Sequence, residues 1–180
     1  SEIILWGANA TNDQDYATSY IPSNGSTVTR NQDVCNNGAT GTGLINSTEG
    51  VLYAEIAALS NDGGLRLLQL SDGTNTNRVS LYYDTAINTI YSNVVVNGVA
   101  NPLSSSVDIL NFIKVAVTWK ENHFSLWING LKASEDTSGS TFSSNTLNDL
   151  SLSLNGLYPF FGKTKALAVW KEALSDQELT

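Results

Sequence analysis

The stretch Phe112–Ser134 reads FIKVAVTWKENHFSLWINGLKAS and predicts the fold of the chain. Apolar residues alternate with other residues in two runs, first from Ile113 to Trp119 and then from Phe124 to Ile128. Because successive side chains of a strand point to opposite faces, each run predicts a strand with one face toward a core. Asn129-Gly130 then supplies two residues that tolerate positive φ, as a type I′ hairpin turn requires. We therefore predict three consecutive antiparallel strands of a β-sandwich, with the third after Gly130.

The same stretch resembles a known family. The stretch has the pattern apolar-Val-Ala-Val-Thr-aromatic, then a polar turn, then Leu-aromatic-apolar-Asn-Gly. This pattern is similar to the central hairpin of the laminin G and concanavalin A-like jelly-roll superfamily. The end of the chain, from Gly162 to Trp170 and then Ala173 to Leu179, resembles the closing strand and short helix of that superfamily. The resemblance covers about Asn46–Thr180 and implies an all-β sandwich of two antiparallel sheets. This fold carries lectins, hydrolases and adhesion modules, so it leaves the function open.

The rest of the chain fits this architecture. Ser175 and Glu178 have the spacing of a capping box, which predicts one helical turn at Ser175–Leu179. Asn101–Leu110 is rich in serine, and we interpret it as a loop. The core positions that we expect first are Val115, Val117, Leu126 and Ile128. Alternation and turn residues predict further strands at Val51–Leu59, Leu65–Leu70, Arg78–Tyr83, Thr89–Asn97, Leu150–Leu154 and Pro159–Trp170.

The first 30 residues suggest a biological setting. Residues 5–30 contain Trp-Gly-Ala, Ala-Thr-Ser-Tyr-Ile-Pro and Thr-Val-Thr-Arg, and this order is similar to a connector of phage tail-fibre and head-fibre proteins. We therefore expect residues 1–30 to be a strand and connector from an upstream module, and residues 31–180 to be the sandwich. The resemblance implies a virion surface or other extracellular location, contact with other modules of a fibre or spike, and a homotrimer.

Composition excludes several functions. The net charge of −8 argues against nucleic acid, whose phosphates are bound by Lys and Arg. The sequence has no apolar run long enough for a membrane helix, so we expect no membrane insertion. Cys35 is the one cysteine and His123 the one histidine, which removes an intrachain disulfide and disfavours a Ser-His or Cys-His catalytic pair.

The sequence does not predict an enzyme. In the superfamily that the chain resembles, hydrolases carry a strand of the form Glu-x-Asp-x-x-Glu, whose carboxylates lie on one face at close separation. Here Glu55 has no such neighbour, because Ala57 occupies the next position on its face. We therefore predict no catalytic residues.

Binding of carbohydrate requires aromatic faces for the C–H groups of a sugar and polar groups for its hydroxyls. The strand positions that point away from the predicted core collect both kinds of residue. Our candidate carbohydrate-binding residues are Tyr53, Glu55, Arg78, Tyr82, Tyr91 and Trp127, with Asn93 beside them. Two alternatives stay open. Trp127 can anchor a segment that covers the outer face, and Arg78 can pair with Glu55 instead of binding an anionic sugar substituent.

No cofactor is expected, although calcium stays an alternative at the turn residues Asp62, Asp72 and Asp84. Ordinary hairpin turns use the same residues, and we favour that interpretation. The sequence thus predicts a glycan- or surface-binding module of a viral fibre that attaches to a host receptor. The alternatives are a carbohydrate-binding module of a secreted bacterial enzyme or adhesin, and a purely structural assembly domain.

Overall fold

The computed structural model describes Tyr20, Pro22, Cys35, Gly38 and residues 24–29 and 43–180. The chain divides into two compact units, Ser1–Asp33 and Val34–Thr180. In the first unit, Asn24 and Gly25 form a turn with φ values of 46° and 84°. Most of the predicted connector lies outside the described residues, so the domain boundary between residues 30 and 31 stays a prediction.

The described residues of the second unit form ten strands and one helical turn. Their bounds are β1 Gly50–Ala58, β2 Arg66–Ser71, β3 Arg78–Tyr83, β4 Thr89–Val96, β5 Val99–Ser106, β6 Ile113–Lys120, β7 His123–Ile128, β8 Leu131–Asp136, β9 Asp149–Ser151, β10 Gly162–Trp170 and α1 Asp176–Leu179. Sheet A has the strand order β10-β1-β6-β7-β8, and sheet B has the order β5-β4-β3-β2-β9. Every pair of neighbours is antiparallel, which confirms the predicted two-sheet sandwich.

The core lies between the two sheets. Leu52, Ala54 and Ile56 of β1 point into it, as do the four residues predicted for β6 and β7. From sheet B come the alternate residues Leu68, Leu70, Val79, Leu81, Tyr83, Ile90 and Val94. Trp119 is fully buried, and its indole Nε1 donates to the Ser47 carbonyl over 3.1 Å. Burial of this aliphatic and aromatic set is the main favourable contribution to folding.

Turn chemistry fixes the register of the meander. Asn129 and Gly130 adopt φ values of 51° and 79°, the left-handed pair that a type I′ turn requires. The turn pairs Ile128 with Leu131 and leaves Leu126 and Ile128 facing the core. The predicted meander is therefore confirmed. Within the described residues, no helix is long and apolar enough to cross a membrane.

One predicted loop is wrong. The serine-rich segment after Gly98 is strand β5, which pairs with β4 along its whole length. Its serines and Pro102 have low strand propensity, but pairing with β4 overrides that preference. Proline is tolerated because β5 lies at the edge of sheet B, where one side of the backbone has no partner. Smaller differences are that β9 ends at Ser151 and that β10 begins at Gly162.

The predicted helical turn is present as α1. The Glu178 carboxylate accepts hydrogen bonds from the backbone N–H and the hydroxyl of Ser175, at 2.8 and 2.7 Å. These bonds hold the pKa of Glu178 below its ordinary value. Because α1 follows the edge strand β10, its placement decides how one outer face of the sandwich is covered.

Candidate functional site

The candidate binding residues lie on two outer faces rather than one. Tyr53 and Glu55 belong to β1 and Trp127 to β7, so these three residues lie on sheet A. Arg78 and Tyr82 belong to β3, and Tyr91 and Asn93 to β4, so these four lie on sheet B. A single surface bearing all of these residues would require their strands to share one sheet, and they do not. Strand alternation shows which residues point outward, but it does not show which sheet a strand joins.

On sheet A, Trp127 is a buried packing residue with 5% of its surface exposed. It forms a small cluster with Val51 and Ala116, and Leu174 and Leu179 from the C-terminal segment pack against that cluster. Its indole Nε1 donates to the Ser125 hydroxyl over 2.9 Å. Trp127 therefore anchors the segment that covers sheet A, and its ring face is not free for a sugar.

The other two candidates on sheet A are engaged differently. Tyr53 meets Trp170 edge to face, with ring centroids 6.0 Å apart. Burial raises the pKa of the Tyr53 hydroxyl. Glu55 forms an ion pair of 2.8 Å with Lys165 of the neighbouring strand β10. The alternative pairing of Glu55 with Arg78 is therefore wrong, because the two residues belong to different sheets.

A pocket of about 390 Å³ opens beside α1 on sheet A. Among the residues that line it are Val51, Tyr53, Ala116, Trp127, Trp170 and Leu174. Trp170, which is 41% exposed, was not among the predicted binding residues. Its signal was available in the sequence: Trp170 directly follows Val169, and because Leu167 and Val169 pack against the core, strand alternation places Trp170 on the outer face. The pocket is mainly apolar and aromatic.

The outer face of sheet B is different in character, and we call it the polar face. The register aligns its outward residues in cross-strand rows: Tyr82 with Tyr91, Ser80 with Asn93, and Arg78 with Val95. The two tyrosine rings stack with centroids 5.2 Å apart and planes at 15°. Burial raises the pKa of the Tyr82 hydroxyl. Both rings are half-buried and close to the hydrogen-bonding groups of the next row.

Arg78 is the cation of the polar face. Its Nη1 donates to the backbone carbonyl of Asn75, whereas its Nε is buried and has no hydrogen-bond partner. Burial of the guanidinium lowers its pKa. Partial burial of a charge without an opposite charge beside it is unfavourable, so this arginine is a feature that requires an explanation.

Two more polar residues on this face escaped the sequence analysis. Gln69 is fully buried, and neither its amide oxygen nor its amide nitrogen has a partner. Asp149 is 8% exposed, and its Oδ1 has no partner. The Asn93 Oδ1 is buried and unpaired as well. The signal for Gln69 was its position between Leu68 and Leu70, where the side chain must point away from the core.

Two turns border the polar face near Arg78. Asn155 Nδ2 donates to Asn75 Oδ1 over 3.0 Å, so the turn before β3 contacts the turn after β9. Beyond Asn155, Tyr158 has a φ of 50° and is 47% exposed. Positive φ is unfavourable for a bulky side chain, and such residues are concentrated at binding and active sites.

The calcium alternative finds no support at the predicted turns. Asp62 forms an ion pair of 2.7 Å with Arg66, and the hydrogen bond from Arg66 holds the Asp62 pKa well below its ordinary range. Asp72 accepts from Thr74 and Asn77, and Asp84 from the N–H of Thr85. Within residues 43–180 and the shorter described segments, no group of three His, Cys, Asp or Glu residues could hold a metal ion.

Comparisons with known proteins agree on the fold. No family model matches this sequence, and no curated protein matches it. Among solved structures, one similar protein is the carbohydrate-binding module CBM40 of a Ruminococcus gnavus sialidase, bound to α2,3-sialyllactose. It is 20% identical to this chain with a TM-score of 0.60, and the match covers 73% of this chain and 80% of that one. The NanB sialidase of Streptococcus pneumoniae is 14% identical with a TM-score of 0.61, over 75% of this chain and 24% of that one.

A pentraxin of Limulus polyphemus is similar too, at 15% identity and a TM-score of 0.57, over 76% of this chain and 70% of that one. At such identities the likeness concerns the backbone and does not extend to individual side chains. The chain therefore has the lectin-like jelly-roll fold that these proteins share.

Proposed function

We propose that this chain is a non-catalytic carbohydrate-binding module and that its polar face binds the glycan. The observation that carries the proposal is the stacked pair Tyr82 and Tyr91 beside the polar side chains of Arg78 and Asn93. The tyrosines offer apolar contact for the C–H groups of a sugar ring, and the polar groups offer hydrogen bonds for its hydroxyls. The similarity to a sialidase module bound to sialyllactose supports this proposal.

The absence of catalysis is part of the proposal. A retaining glycosidase needs two carboxylates on one face, about 5–5.5 Å apart. The strands of sheet B contribute Asp149 as their one carboxylate. A single carboxylate suits a binding site, where it accepts hydrogen bonds from hydroxyl groups.

The setting that we propose is a phage-like fibre or spike, where the module attaches the virion to a host receptor. This rests on the resemblance of residues 5–30 to fibre connectors, and a homotrimer of the parent protein is proposed with it. The alternative is a module of a secreted bacterial enzyme or adhesin, which the similarity to sialidase chains favours. Sedimentation of the parent protein separates the two, since a trimer supports the fibre and a monomer contradicts it.

Glycan-array screening followed by calorimetry tests the binding function. We expect Tyr82→Ala and Tyr91→Ala each to weaken binding about tenfold, since loss of one aromatic contact is worth about 1.4 kcal/mol. Trp170→Ala is the matched control, because it removes an exposed aromatic ring from the opposite face. Loss of binding in the Trp170 variant but not in the tyrosine variants would move the site to sheet A. Absence of any bound glycan on the array would refute the function.

A further inference from the structure

The cations of this acidic chain are neutralised unevenly. Arg66, Lys120, Lys132 and Lys165 each form an ion pair with a carboxylate, at 2.7 to 3.1 Å. Arg78 forms none within the part of the chain that the structure describes, although it is half-buried. Arg78, the partly buried cation of the polar face, therefore has no acidic partner among the described residues.

The surroundings of Arg78 do not neutralise its charge. Its Nη1 donates to the Asn75 carbonyl, which is a neutral acceptor, and its Nε has no acceptor at all. Tyr82 lies on the same strand and carries a neutral hydroxyl, because burial raises the pKa of that hydroxyl above its ordinary value. A guanidinium is a planar fork of N–H donors whose geometry matches the oxygens of a carboxylate or a sulfate group.

Asp149 is the one carboxylate that the strands of sheet B contribute, and it lies on the face of Arg78. Ser71 is paired with Arg78 on one side and with Asp149 on the other, so the three residues form one row across sheet B. Adjacent strands are about 4.8 Å apart, which separates the Arg78 and Asp149 backbones by about 10 Å. No ion pair joins the two side chains, and both retain an unpaired polar atom. Ser71, which lies between them, is fully buried, and Asp149 does not neutralise Arg78.

We propose that the glycan bound by the polar face is acidic, with its carboxylate or sulfate group held by Arg78. This inference rests on the proposed glycan-binding function. The anionic group supplies the opposite charge that Arg78 lacks, and the neutral part of the sugar lies toward Tyr82 and Tyr91.

Matched pairs of probes test the inference by calorimetry. Sialyllactose is compared with lactose, an oligogalacturonate with its methyl ester, and lactose 3-sulfate with lactose. In at least one pair the charged member is expected to bind about tenfold more tightly than its neutral partner, with the advantage decreasing as salt is added. The first two pairs identify a carboxylate, whereas the third identifies a sulfate.

Variants connect the effect to the residue. Arg78→Gln is expected to abolish the preference for the charged member, and Arg78→Lys to retain part of it, because lysine keeps the charge but loses the planar fork. Lys163→Gln is the control, since it removes one positive charge from sheet A. Thermal unfolding of each variant checks that the fold is intact.

Two outcomes overturn the inference. Equal binding of charged and neutral probes, or a preference that survives in a folded Arg78→Gln variant, means that Arg78 does not hold an anion. If the chain binds only neutral glycans on the array, the inference fails while the proposed function stands. If it binds no glycan at all, the proposed function itself fails.

Discussion

The two outer faces of the sandwich start from the same kind of sequence pattern and differ in whether their buried polar atoms have hydrogen-bond partners. On sheet A, Trp127 lies beneath Leu174 and Leu179, and its indole N–H has a partner. On sheet B, Gln69 is just as buried, yet both of its amide atoms are unpaired. The first face resembles an interior, with apolar groups packed and donors satisfied. On the second face, buried side-chain atoms of Gln69, Asn93 and Asp149 have no hydrogen-bond partner within the protein, and such atoms are uncommon in folded proteins.

The largest effect that would test this contrast is expected for Trp127→Ala. Removal of the indole leaves a cavity under the C-terminal segment, and we expect the free energy of unfolding to fall by about 3–5 kcal/mol. Urea unfolding measures the loss. Glycan binding by the variant that remains folded should be unchanged, because Trp127 lies on sheet A.

Trp170→Ala provides the comparison for that experiment. Trp170 is a tryptophan of the same sheet, but it is 41% exposed and its edge contact with Tyr53 is worth about 1 kcal/mol. A loss of stability as small for Trp127 as for Trp170 would show that the C-terminal segment does not cover sheet A in solution.

The second effect is smaller and has the opposite sign. Gln69→Leu replaces an unpaired buried amide with an apolar side chain of similar size, and we expect the free energy of unfolding to rise by about 1–2 kcal/mol. Chemical denaturation again measures the difference, with Leu68→Ala as the core control that should lose about 2–5 kcal/mol. A destabilised Gln69→Leu variant would mean that the amide has partners in solution and that the polar face is a satisfied network.

The fold was predictable because its signals are local. Alternation from Ile113 to Ile128 and the Asn129-Gly130 turn determine three strands, and the capping residues Ser175 and Glu178 determine α1. The candidate site was only partly predictable. Tyr82 and Tyr91 are stacked on one face as their outward positions suggest, and Arg78 lies two residues from Tyr82 on that face.

The remaining features depend on long-range pairing. Whether β1 joins β3 in one sheet or lies in the other is decided by contacts across the whole chain, so alternation alone could not separate Tyr53 from Tyr82. The burial of Trp127 depends in the same way on Leu174 and Leu179, which follow it by more than forty residues. The segment β5 can be identified as a strand only from its pairing with β4, because its own composition favours a loop.

The proline of β5 has a consequence for solubility. Pro102 lies on an edge strand of sheet B, where a ladder of free N–H and C=O groups would otherwise be a template for a strand of another molecule. Proline has no N–H to donate, and strands tolerate it where its nitrogen faces away from the neighbouring strand. The open edge of β5 therefore lacks a donor near its middle, and an incoming strand cannot complete its hydrogen bonds there. Pro102 thus protects the edge of β5 against edge-to-edge aggregation.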